Sequence, residues 1–128
     1  MKPIIGIISR EYYSATNKKI NIIYNDIISS VIKSKGIPIG IPYDEDITKY
    51  LELCDGIILQ GGDDIDKYNL KTIKILKEKN IPTLGICLGM QEMFYQNNLV
   101  DIPNHHINSL HEIKLKKDTL LVIVLLLK

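Results

Sequence analysis

Apolar residues fall into short unbroken runs separated by stretches with helical spacing. Pro3 to Ser9 is almost wholly apolar and ends in a polar segment, the pattern of a strand buried on both faces, as parallel sheets require. From Lys19 the apolar positions Ile20, Ile23, Ile27, Ile28, Val31 and Ile32 follow one another at mostly three- and four-residue intervals, ending at Gly36 after Lys33 and Lys35. This spacing predicts a helix of about four turns with a basic last turn and a glycine stop. Ile37 to Pro42 predicts a second strand, and Asp44 to Leu53 a short helix with carboxylates at its start, where the helix dipole favours them.

Asp55 to Gln60 predicts a third strand that runs straight into Gly61-Gly62. Asn69 to Lys79 predicts a helix with Ile73, Ile75 and Leu76 inward and Lys71, Lys74, Lys77 and Lys79 on a solvated face. Ile81 to Ile86 is a fourth strand, and Leu88 to Gln96 a further helix with Met90, Met93 and Phe94 turned inward. Such alternation specifies a doubly wound α/β fold, a mainly parallel sheet with helices on both faces. Sites in these folds lie beyond the carboxyl ends of the strands, where Gly61-Gly62 and Cys87 both fall. After Asp101 the alternation fades: His111 to Leu115 alternates like a strand, and Thr119 to Lys128 is an apolar tail without cap or turn.

A length of 128 residues predicts one domain that buries about 65 to 70% of its unfolded surface. With 45% hydrophobic and 24% charged residues and a net charge of +1, the chain is neither disordered nor a polyelectrolyte, so no nucleic acid is expected as partner. The excess of Ile and Lys, against one Ala and one Arg, reads as codon bias, because Ile, Lys and Asn share AT-rich codons. The apolar runs Ile4 to Ile8 and Leu120 to Leu127 are far shorter than the about 20 residues of a membrane span. Two cysteines, Cys54 and Cys87, do not make a disulfide framework, and a reducing cytoplasm is the expected location.

The chemistry concentrates in Gly85-Ile86-Cys87-Leu88-Gly89-Met90-Gln91. A strand that turns sharply into a helix at Cys87 strains the cysteine backbone, and the glycines two residues to either side remove side chains that would collide there. This is the thiol form of a nucleophile elbow. The Leu88 N–H, first in the helix, then faces the oxygen of a bound carbonyl, and Gly61-Gly62 lets the backbone approach closely enough for the Gly62 N–H to be a second donor. The alternative for Cys87 is a buried structural thiol, which is the expectation for Cys54. Gly61-Gly62 lacks the surroundings of a dinucleotide or P-loop turn. His105, His106 and His111 show no ligand spacing to either cysteine, and Asp63, Asp64 and Asp66 are expected to satisfy turn and helix N–H groups. Neither metal nor cofactor is expected.

These residues resemble the nucleophile motif of the class I glutamine amidotransferases, which Gly85 to Gln91 matches at each defined position. Lys2-Pro3-Ile4-Ile5-Gly6-Ile7, Lys35-Gly36-Ile37-Pro38 with Ile41-Pro42, and Asp55-Gly56-Ile57-Ile58-Leu59 with Gly61-Gly62-Asp63-Asp64-Ile65 look like the γ-glutamyl-γ-aminobutyrate hydrolase branch. The resemblance implies a flavodoxin-like three-layer fold and hydrolysis of a γ-glutamyl amide, or glutamine, through a thioester on Cys87. It implies oxyanion N–H groups from Gly62 and Leu88, a glutamyl contact from Gln91, and supporting roles for Gly61, Gly85 and Gly89. It runs from the start to about Asp101 and more weakly to about Leu121, with 122–128 atypical, so that 1–128 reads as a partial domain. Leu88 stands where this branch has arginine, and Asn97-Asn98 where it has Gly-Gly. Members carry their catalytic His and Glu as His-x-Glu in the C-terminal part, whereas His111-Glu112-Ile113 resembles an earlier strand. A chain lacking that pair is expected either to be an inactive truncated remnant or to bind a γ-glutamyl ligand, and an incomplete sheet is expected to self-associate through its edge.

Overall fold

The computed structural model describes residues 1–95. The strand expected at His111 to Leu115, the three histidines, Asn97-Asn98 and the apolar tail lie outside the described residues. The elements run β1 (Ile4–Ile8), β2 (Arg10–Tyr13), β3 (Lys19–Ile22), α1 (Asn25–Lys33), β4 (Ile37–Ile41), α2 (Thr48–Leu51), β5 (Gly56–Leu59), α3 (Lys67–Glu78), β6 (Thr83–Gly85) and α4 (Leu88–Met93).

Strands β4, β1, β5 and β6 lie side by side in that order and every pairing is parallel. Counting these strands along the chain, the spatial order is second, first, third, fourth, the flavodoxin-like order, whose ligand crevice opens where the first and third strands part. Both faces are covered, which is why β1 reads Ile-Ile-Gly-Ile-Ile without alternation. Ile7 and Ile58 face Val31 with Ile23, Ile27 and Ile28 around α1. Ile8, Ile41, Ile57 and Leu59 point the other way, against Ile47, Leu51, Ile73 and Leu76 of the α2–α3 side.

The helix expected from Lys19 is divided. Lys19–Ile22 is β3, antiparallel to β2, with Arg10 opposite Ile22 and Tyr13 opposite Lys19. The hairpin closes through Asn17, whose N–H donates to the Ser14 carbonyl at 2.8 Å and whose φ is 56°; the helix begins only at Asn25. Ile20 keeps helical distances to Ile23 and Ile27, three and seven residues on, so the apolar spacing alone does not separate a strand from the helix that follows it.

Gly36 is not the left-handed stop. That conformation is taken by Lys35, φ 65°, while the Gly36 N–H reaches the Val31 carbonyl and the Lys35 N–H the Ile32 carbonyl, a Schellman closure. The glycine keeps the packing close instead, since a Cβ there would stand 3.0 Å from Val31 Cγ1. Among the described residues no helix is long and apolar enough to cross a membrane.

Candidate functional site

Two strand ends and one helix start meet at the crevice. Strand β5 ends at Leu59 and continues through buried Gln60 into Gly61-Gly62; β6 ends at Gly85 and reaches Cys87 two residues later. The Ile86 N–H still pairs with the Leu59 carbonyl at 2.9 Å, so the two chain segments stay in register up to the residue before the cysteine.

Cys87 then has φ 52° and ψ −116°, a backbone region that L-residues avoid, at a cost of roughly 1–3 kcal/mol. The surrounding packing enforces it. A Cβ at Gly89 would lie 2.2 Å from the Leu59 carbonyl oxygen, and one at Gly85 would lie 2.7 Å from the Met90 backbone nitrogen and Cα. The first turn of α4 therefore rests directly on the end of β5, and only glycine at both positions allows the elbow to close. Leu88 and Gly89 are buried, whereas Cys87 is exposed.

The Gly61-Gly62 turn faces this cysteine. A Cβ on Gly61 would stand 3.5 Å from Cys87 Cβ and 4.0 Å from its Sγ, and one on Gly62 would stand 3.2 Å from Leu88 Cδ2. Leu88 opens α4, so its N–H has no intrahelical acceptor. The structure thus brings together Gly61, Gly62, Gly85, Cys87, Leu88 and Gly89. Gln91 is exposed on α4, and its N–H donates to the Cys87 carbonyl at 3.1 Å.

Sequence reasoning missed what lies beneath. Helix α4 turns Glu92 inward, 1% exposed, and leaves Met90 and Phe94 exposed, against the expectation for those two residues. Met93 does pack on the core. Glu92 is drawn in by Arg10, the only arginine, which is itself 4% exposed and opens β2, two residues after β1 ends. Arg10 Nη1 and Nη2 each donate to one Glu92 carboxylate oxygen at 2.9 Å. Glu92 accepts in addition from the Asp66 N–H and from Asn69 Nδ2. The signal available was a single arginine in a lysine-rich chain, because a planar guanidinium is the cation suited to a buried bidentate pair.

Asp66 caps α3 by accepting from the Tyr68 N–H at 2.8 Å and also accepts from Tyr43 Oη, while Asp63 accepts from Tyr12 Oη. Burial, then the neighbouring Tyr24 and Asp63, push the Tyr12 phenol up to about 12, so it stays a neutral donor. Tyr12, Tyr13, Asp63, Asp64 and Lys67 line a groove of about 460 Å³ between the hairpin and the loop that leaves Gly62. Cys54 is half-buried behind the sheet, its thiol pushed up by burial.

A family model described as "Glutamine amidotransferase class-I" matches residues 16–121. The chain belongs to the class I glutamine amidotransferase family. Among curated proteins, this amidotransferase-family chain is 31% identical to a glutamine amidotransferase-like protein of Rickettsia prowazekii over 81% of its own length and 48% of the relative's. It is 32% identical to the gamma-glutamyl-CDP-amidate hydrolase of Campylobacter jejuni over 63% of its length and 46% of that enzyme's. Against a CTP synthase of Chlamydia trachomatis it is 29% identical over 77% of its length and 19% of the synthase. The chain thus spans about half, or less, of the curated relatives it matches.

Proposed function

We propose that this member of the family acts on γ-glutamyl amides, with Cys87 as the nucleophile, in the manner of the γ-glutamyl-γ-aminobutyrate hydrolases. The observation that carries the proposal is the exposed Cys87 thiol held at φ 52° against Gly61, because strain of this kind persists where it serves a reacting atom. The gamma-glutamyl-CDP-amidate hydrolase among the relatives supports a γ-glutamyl group as the part recognised.

In this reading the thiolate attacks the γ-carbonyl carbon and the carbonyl π electrons move onto oxygen, where the N–H groups of Gly62 and Leu88 receive the charge. Collapse expels the amine, which takes up a proton, and leaves a γ-glutamyl thioester on Cys87. Water then releases glutamate and restores the thiol. Each oxyanion donor is worth about 3–4 kcal/mol of transition-state stabilisation. Gln91, on the turn after the cysteine, contacts the glutamyl group.

Residues 1–95 contain no histidine, so the described part of the site offers Cys87 no imidazole acid or base, help worth about a hundred- to ten-thousandfold. An electrophilic glutamine analogue should label Cys87 stoichiometrically and leave Cys54 unmodified, read by peptide mass mapping. Equal labelling of the Cys87→Ser variant would remove the proposal.

A further inference from the structure

We infer that Arg10 and Glu92 form a positioning pair that aligns the two oxyanion donors. The inference rests on the acyl-transfer reading above and adds residues that the nucleophile motif does not contain.

Arg10 does more than neutralise a buried carboxylate. Its Nε donates to the Gly61 carbonyl at 3.2 Å and its Nη2 to the Gln60 carbonyl at 2.9 Å. A Cβ on Gly62 would stand only 3.0 Å from Arg10 Nε and 3.3 Å from Cζ, so the guanidinium lies close against the turn. A trans peptide is planar, and its N–H points opposite to its C=O. Fixing the Gly61 carbonyl on Arg10 therefore directs the Gly62 N–H away from Arg10, to the far side of the turn. Two carbonyls on one rigid fork prevent that peptide from flipping.

The same guanidinium grips α4. Glu92 lies one helical turn after Leu88, and both of its oxygens are held by Arg10 at 2.9 Å. One residue, the first of β2, thus clamps the loop bearing the first donor and the helix bearing the second. Their relative position depends on a contact between residues 82 apart in sequence. Asp66 and Asn69 tie the start of α3 into the same carboxylate. Bidentate, charge-assisted geometry makes such a clamp directional, and a misplacement of about 1 Å at a reacting centre costs roughly a hundredfold in rate.

The test uses the full 128-residue chain and two reagents. A γ-glutamyl 4-nitrophenyl ester acylates Cys87 with a leaving group that needs no proton, so its burst of nitrophenolate reads the oxyanion donors. Iodoacetamide alkylates the same thiol by displacement at carbon, with no oxyanion, and reads only access and thiol reactivity. Because removing one partner leaves a buried charge, the informative variant is the double replacement Arg10→Met with Glu92→Met, alongside Arg10→Lys. With the double variant shown folded by circular dichroism, its acylation rate should fall about tenfold to a hundredfold while its alkylation rate stays within about twofold. Arg10→Lys, a point charge without the fork, should also lose acylation selectively. Unchanged acylation in the folded double variant, or a parallel fall of both rates, overturns the positioning role. Absence of a burst at Cys87 in the unsubstituted chain overturns the acyl-transfer reading itself.

Discussion

At the scale of single residues, the strained backbone of Cys87 is the feature most difficult to explain by folding alone. Nothing in the core needs a β-carbon at φ 52°, and glycine would occupy that conformation without penalty. Cys87→Gly should therefore raise stability by about 1 kcal/mol, seen as a higher midpoint in thermal or denaturant unfolding, while abolishing acylation. A loss of stability on that change would show that the thiol is held by packing rather than strained for chemistry. The elbow was legible because its marks are local in sequence: Gly85 and Gly89 lie two residues to either side of Cys87, although the Leu59 carbonyl that Gly89 clears comes from a distant strand. Arg10 and Glu92 were not legible, because each becomes meaningful only when the start of β2 and α4 are brought together. Glu92 was additionally hidden by the apolar spacing of Met90, Met93 and Phe94 around it.

At the scale of elements, the contact between α4 and the end of β5 decides whether the site forms. Gly89 sits over the Leu59 carbonyl with no room for a methyl group. Gly89→Ala should force the helix off the strand and destabilise the fold by about 3 kcal/mol, at the upper end of overpacking costs. A variant that unfolds at the same denaturant concentration as the parent would refute this packing. The parallel strands were readable from unbroken apolar runs, and α3 from its Ile73 and Leu76 face with its exposed lysines. The β2–β3 hairpin was not, since Lys19–Ile22 pairs with only one strand and is mostly exposed. A half-covered strand with two isoleucines imitates the start of the amphipathic helix that follows. The turn residues Ser14 and Asn17 were the available clue.

For the whole molecule, the strand order puts the described parts of the proposed site together at the carboxyl end of the sheet. The chain leaving β1 delivers Arg10 at the start of β2, the chain leaving β5 delivers Gly61 and Gly62, and the chain leaving β6 delivers Cys87, all just beyond carboxyl ends of neighbouring strands. The α/β class and its parallel sheet followed from the alternation of runs and helices, and the family from the glycines around Cys87. The hydrogen-bonded floor beneath those residues required three-dimensional proximity to be seen. Trapping the covalent intermediate tests the proposed chemistry most directly: mix the chain with a γ-glutamyl 4-nitrophenyl ester, quench in acid, and map the peptides by mass. A γ-glutamyl group on Cys87, absent from Cys54 and from the Cys87→Ser variant, is the predicted result. No acyl group on Cys87, or equal acylation of Cys54, would contradict it.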